Sequence, residues 1–226
     1  MRSSYLAWDD AVALFEERSL PESAYRNLYQ EEYILVPGPA TVTGELPLDD
    51  HDQTPWRHDT PDPATGYIVD GDLTIDGGLV DVDDGAAALV VLGDLRAGDV
   101  YLEGDAKLIV RGDVTARTFV GDMTDKLVMV HGDLRATVAI FWNGFCPDLV
   151  TGVLHGRTLA PSYLDLSTAP IGGLLDPAPG APLGDLLVPE LLVDGAPGED
   201  DFTEIGVRGG VLRERALDGL PLTRTP

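Results

Sequence analysis

A chain of 226 residues with 39 acidic and 15 basic side chains, a formal charge of −24 and 44% hydrophobic content is long and apolar enough for a packed core. The acidic excess excludes a general nucleic-acid binder, which needs a basic face against phosphates, and it opposes anionic membrane surfaces. No apolar run approaches the roughly 20 residues of a membrane-spanning helix, and the single cysteine, Cys146, excludes an internal disulfide framework.

The first ten residues have no apolar stretch before the Asp9-Asp10 pair, so they do not read as a secretory leader, and a bacterial-type cytoplasmic location is the expectation. Asp9-Asp10 opens a short helix with Trp8, Val12 and Phe15 at helical spacing. Ser19 and Glu22 have the spacing of a capping box for a second helix carrying Tyr25, Leu28, Tyr29 and Tyr33. Residues 1–39 are therefore expected to form a helical N-terminal cap.

A repeat begins after this cap. Val69-Asp70-Gly71-Asp72-Leu73, Val91-Leu92-Gly93-Asp94-Leu95, Val110-Arg111-Gly112-Asp113-Val114 and Val130-His131-Gly132-Asp133-Leu134 share one pattern, with glycine spacings of 22, 19 and 20. Weaker copies centre on Gly44, 27 residues earlier, and on Gly152, 20 residues later. Two residues before and two after each glycine the residue is Val or Leu. The residues between are mostly polar, which is the period-2 alternation of strands with one buried face. A unit of about 20 residues cannot bury its own apolar face, so successive units must stack. The fold class predicted is all-β, a β-helix (solenoid) with rungs over residues 40–156. A sandwich gives no reason for the same residue type to return every 20 positions.

From Ala160 to Pro197 prolines recur too often for long elements. Leu183 to Val193 holds a short apolar piece broken by Pro189, and a helical turn is expected over Val211 to Leu217. Residues 157–226 are expected to form a Pro-rich C-terminal cap with short helices. A solenoid leaves a raw edge at each end, and both flanks are expected to cover one.

The rungs Gly93-Asp94-Leu95-Arg96-Ala97 and Gly112-Asp113-Val114-Thr115-Ala116 resemble those of the bactofilin-like, polymer-forming β-helix proteins of bacteria, over roughly residues 67–140. The resemblance implies a β-helix that stacks end to end into filaments without nucleotide. Spacing argues against a likeness to hexapeptide-repeat helices, since three hexapeptides make about 18 residues per turn and the copies here are 19 to 22 apart.

No Gly-x-Ser-x-Gly, HExxH or phosphate-cradling loop is present, and His131, His155 and Cys146 form no nucleophile–base pattern. The expectation is a protein that is not an enzyme and has no cofactor and no metal. His51 and His58 among Asp49, Asp50, Asp52 and Asp59 read as a solvated loop rather than a cation site. The Asp after each repeat glycine would stack with its neighbours about 4.8 Å apart, a repulsion that backbone N–H groups can offset.

Charge is concentrated. Between Thr43 and Asp84 there are 12 acidic residues and one basic residue, Arg57, whereas from Asp94 to Asp148 nine acidic residues face six basic ones. Such a field steers a basic partner. The candidate docking face is Asp49, Asp50, Asp52, Asp81, Asp83 and Asp84, with Phe141, Trp142 and Phe145 as a candidate aromatic anchor. The function expected is a protein-binding module, of the inhibitor or immunity type, for a partner with a basic surface. A self-assembling scaffold is the alternative, and a short β-helix enzyme acting on polysaccharide ranks third.

Overall fold

The alternation around each glycine does form strands, and the strands stack. The computed structural model describes residues 2–85, 87–175, 182–194 and 201–224. Its centre is a β-solenoid of about 5 turns repeating about every 20 residues. An edge strand, β1 (Ser4–Leu6), pairs antiparallel with β2 (Tyr33–Pro37). From β2 a parallel ladder runs through β5 (Gly66–Asp70), β7 (Ala88–Val91), β9 (Lys107–Val110) and β11 (Leu127–Val130) to the start of β13 (Leu149–Leu159). The second half of each turn is a longer, bent strand. Its ladder starts at β3 (Ala40–Val42) and β4 (Leu46–Pro47), passes through β6 (Leu73–Asp81), β8 (Leu95–Leu102), β10 (Val114–Asp122) and β12 (Leu134–Trp142), and also ends on β13.

The register places like on like. Val69, Val91, Val110, Val130 and Val150 form one interior column, and Leu73, Leu95, Val114, Leu134 and Leu154 another. None of these ten side chains exposes any surface. Each such burial contributes roughly 1.5–3 kcal/mol.

The Gly-Asp pair locks this register from outside the core. Asp72 Oδ1 accepts the N–H of Asp94 (2.9 Å), Asp94 Oδ1 that of Asp113 (2.9 Å), Asp113 Oδ1 that of Asp133 (2.8 Å), and Asp133 Oδ1 that of Val153 (2.7 Å). The glycine above each Asp leaves room for its carboxylate. A Cβ on Gly93, Gly112, Gly132 or Gly152 would sit 2.1–2.3 Å from the Oδ1 of the Asp one turn below. The stacked carboxylates thus tolerate one another because each is bound to an amide of the next turn.

The copy expected at Gly44 is out of register. Ala40 lies under Leu73 and Val42 under Ile75, so the first turn's corner is Gly38-Pro39, and Gly44 lies instead under Gly77. The copy at Gly152 is in place, its N–H bonded to the Gly132 carbonyl.

Most of each flank lies along a side of the stack, while β1, from the N-terminal flank, covers the edge of the first ladder at one end. In α1 (Trp8–Glu17), Ala11 and Phe15 are buried and, with Leu20, Ala24, Tyr25 and Leu28, pack on Ile68, Val90 and Ile109, the outward side chains of the first ladder. The Ser19–Glu22 capping box does not form. Ser19 has φ 57° just past α1, and α2 (Glu22–Tyr25) starts after Pro21 without a side-chain cap. Strand β2, within residues 1–39, already belongs to the stack.

On the other side Val80, Tyr101, Val120, Ile140 and Leu159 point outward from the second ladder. Leu187, Leu191, Phe202, Val207 and Leu212 cover them, drawn from the segment just after α3 (Leu183–Leu186) and from α4 (Gly209–Leu217) with the residues before it. The stack also extends past residue 156, through Leu159 and a further strand, β14 (Ile171–Leu175), which pairs with β13.

If the inter-turn carboxylate bond holds the register, Asp113→Ala should lower unfolding free energy by about 2 kcal/mol, as for a charge-assisted hydrogen bond. Asp113→Asn, which keeps the acceptor, should cost less than about 1 kcal/mol, and the exposed Thr115→Ala less than about 0.5 kcal/mol. Urea titration of the three variants measures this, and equal losses would refute the role of the bond.

Candidate functional site

Residues 48–65, inserted between β4 and β5, fold against the first turns through His51, Thr54, Trp56 and Thr60, while Asp52, His58 and Asp59 are exposed to solvent as expected. Trp56 is buried against the Tyr67 ring, 4.7 Å between centroids. The Trp56 carbonyl accepts from the Ser3 and Thr60 hydroxyls, and the Tyr5 hydroxyl bonds the backbone of Asp62. His51 Nε2 lies 2.6 Å from the Thr60 carbonyl and Nδ1 lies 2.9 Å from the Tyr67 hydroxyl. A carbonyl only accepts, so Nε2 carries a proton, and in the neutral ring Nδ1 takes the tyrosine hydrogen. His51 is thus a structural pin, and His58 is exposed. Among the described residues no three His, Cys, Asp or Glu side chains are arranged to hold a metal ion.

Two open clefts adjoin this insertion. The larger, about 620 Å³, is lined by Glu45, Asp49, Asp50 and Asp83, with Gln53 and Leu217. The other, about 470 Å³, carries Glu31, Asp49, Asp84 and Asp105 among Tyr29, Tyr67 and His51. Asp49 belongs to both, so it forms the ridge between them. Among the described residues no lysine or arginine lines either cleft. Lys107 lies on the Tyr29 ring, 3.5 Å from its centroid, and burial pulls its ammonium below the usual lysine range. Asp49 is fixed by the N–H groups of Val82 (3.0 Å) and Asp83 (3.1 Å), both donating to its Oδ2. Burial, then the charge of Asp218, pushes Glu45 up.

Of the six acids expected on one face, Asp49, Asp50, Asp83 and Asp84 therefore line the clefts. Asp52 lines neither and is paired with Arg57 at 3.0 Å. Asp81 is a correction: it exposes no surface and cannot meet a partner directly. It follows Leu79 and Val80 on β6 and sits in the inward column with Leu102, Gly121 and Phe141. Neither carboxylate oxygen completes a hydrogen bond of good geometry with a described residue. Desolvation, and then the charge of Asp49, pushes its pKa up to about 7, while the Ala106 amide and the Lys126 ammonium oppose this more weakly.

The aromatic anchor is a second correction. Phe141 and Phe145 are interior, with ring centroids 5.4 Å apart. Phe145 fills the space left by Gly121, whose missing Cβ would fall 2.2 Å from its ring. Trp142 is half-buried, stacked on Phe202 at 4.6 Å under the C-terminal flank. All three serve packing. The acids Glu31, Glu45 and Asp105, which belong to the clefts, were missed because two of them lie outside the most acidic window and Glu45 was read as part of a rung.

No protein-family model matches this chain, and no curated protein and no solved structure is significantly similar to it.

Burial of Asp81 has a consequence for pH. Its folded pKa lies above the ordinary carboxylate value near 4, so between these values the folded chain holds a proton that the unfolded chain has lost. The stability this proton confers is fully present below about pH 4 and is lost as pH rises through about 7. Between pH 5 and pH 8 the wild type should lose on the order of 3 kcal/mol more than Asp81→Asn. Chemical denaturation of both proteins across that range measures the difference, and parallel pH profiles would show that Asp81 is not buried as a neutral acid.

Proposed function

We propose that this chain is a non-enzymatic, protein-binding β-solenoid that takes the cationic side chains of a basic partner into the two clefts beside Asp49. One observation carries the reading: seven carboxylates from four separate parts of the chain, Glu31, Glu45, Asp49, Asp50, Asp83, Asp84 and Asp105, converge on adjoining concavities that no lysine or arginine among the described residues lines. A lysine or arginine entering such a cleft meets opposite charge on several sides, and its methylene stem has Leu48, Pro63 and Ala87 to lie against. Inhibitor or immunity-type action on a basic protein belongs to this reading, since blocking such a surface needs only its charges matched.

A labelled octalysine peptide tests it by fluorescence anisotropy. Glu31→Gln/Asp83→Asn/Asp84→Asn should weaken binding at least about tenfold at low salt, with the effect shrinking as ionic strength passes about 0.15 M. Asp165→Asn/Asp185→Asn/Glu190→Gln removes the same charge elsewhere and should change affinity less than about twofold. Equal weakening by both triple variants would reduce the acidic face to a solubility device.

Self-association is the second reading, in line with the bactofilin-like look of the rungs, and one feature favours it. Among the described residues nothing pairs with the outer edge of β14, where Leu174 and Leu175 remain half-exposed. At the opposite end the antiparallel β1 blocks further parallel stacking on the first ladder. Association through β14 alone therefore closes at a dimer. Sedimentation over a concentration series should show monomer and at most dimer, and Leu174→Glu/Leu175→Glu should abolish any dimer. Filaments formed by the intact chain would instead establish end-to-end polymerisation.

A further inference from the structure

We infer that a cation captured beside Asp49 expels a proton from Asp81, so that the clefts form a proton-coupled site for ammonium and guanidinium groups. The inference rests on the docking reading above and adds its regulation. Asp81 is wholly buried, follows the apolar Leu79 and Val80, and shares its column with Leu102. Its two oxygens complete no hydrogen bond of good geometry, and the Ala106 amide stabilises the charged form only weakly. Backbone closes it in, because a Cβ on Gly104 would lie 2.6 Å from its Oδ2.

The charged groups that face it are Asp49 from the insertion, Asp105 from the turn above, and Lys126 from the turn above that. Lys126 is engaged elsewhere: its ammonium donates to the carbonyls of Asp122, Met123 and Glu103. The two carboxylates are the walls of the clefts, and the backbone that follows Asp81, at Val82 and Asp83, is bonded to Asp49.

Burial is the main reason Asp81 stays neutral, and each negative wall adds to it. A cation seated against Asp49 or Asp105 cancels the charge that opposes ionisation, and Asp81 then releases its proton to solvent. Linkage makes the effect reciprocal, so raising pH through neutrality strengthens cation binding by as much as binding favours ionisation. The buried acid works by field alone and touches no ligand.

Isothermal titration of octalysine near pH 7, in two buffers of different ionisation enthalpy, reads the proton directly. Wild type should release on the order of a quarter of a proton per binding event, and Asp81→Asn clearly less. Binding to wild type without release, or equal release by Asp81→Asn, overturns the inference.

A second arm needs no ligand. In carboxyl-carbon NMR titrations, Asp49→Asn should move the Asp81 midpoint down by about half a pH unit or more, and Asp105→Asn should move it in the same direction. An unmoved midpoint in both variants overturns the coupling. Failure of octalysine to bind at all overturns the docking reading and the release with it, while the NMR result still decides whether Asp81 senses the cleft walls.

Discussion

A carboxylate of one turn holding an amide of the next is the contact on which this solenoid's register depends. It recurs from Asp72 to Val153 at one corner of the stack. It requires a glycine directly above each Asp, where any Cβ would collide with the carboxylate. Parallel strands of mixed aliphatic residues could slide by two positions and still bury apolar side chains. The corner removes that freedom, because only one offset brings each Asp beneath a glycine and next to a free N–H. The Val and Leu columns are aligned as a consequence, and so are the outward rows that the flanks cover.

This corner was legible in the sequence wherever it was built from Gly-Asp, and invisible where it was not. In the first turn the same position is Gly38-Pro39, and proline has neither a carboxylate nor an N–H to mark it. Gly44 carried the right letters around it and belongs to a different corner, under Gly77. The covered outer faces had left a signal as well. Ala88 to Leu92 is apolar throughout, without alternation, which is the pattern of a strand buried on both sides. Ile68, Val90 and Ile109, three residues before successive glycines, form the row on which α1 rests. Phe145 is a different case, since its place in the core depends on Gly121 one turn away.

The acidic site was legible as a segment and not as a surface. Local charge identified residues 43–84, but inward and outward acids look alike in composition. Counting by twos would have separated Asp81 from its neighbours. In β6 the inward positions run from Leu73 and Ile75 to Leu79 and on to Asp81. The extra residue at Gly77-Gly78, where the register shifts against β8, keeps this count in step. In β8 the same count fails, since Leu95 and Ala97 are followed inward by Val100 and Leu102. Contributions from Glu31 and Asp105 needed the fold itself, which brings the turn before β2 and the turn before β9 to the same cleft.

What the flanks cover limits how the molecule can recognise anything. The N-terminal helices occupy the apolar outer row of the first ladder, and the C-terminal segment occupies that of the second. Between them the outward row of Thr74, Arg96, Thr115 and Arg135 remains open and is polar. Hydrophobic area for a broad, dry interface is therefore largely used up within the chain. Charged concavities carry recognition differently: they speed encounter and select partners by sign more than they add lasting affinity. With a buried acid behind its walls, the proposed site would respond to both salt and pH. Association that is fast and readily reversed by either suits this arrangement better than permanent assembly.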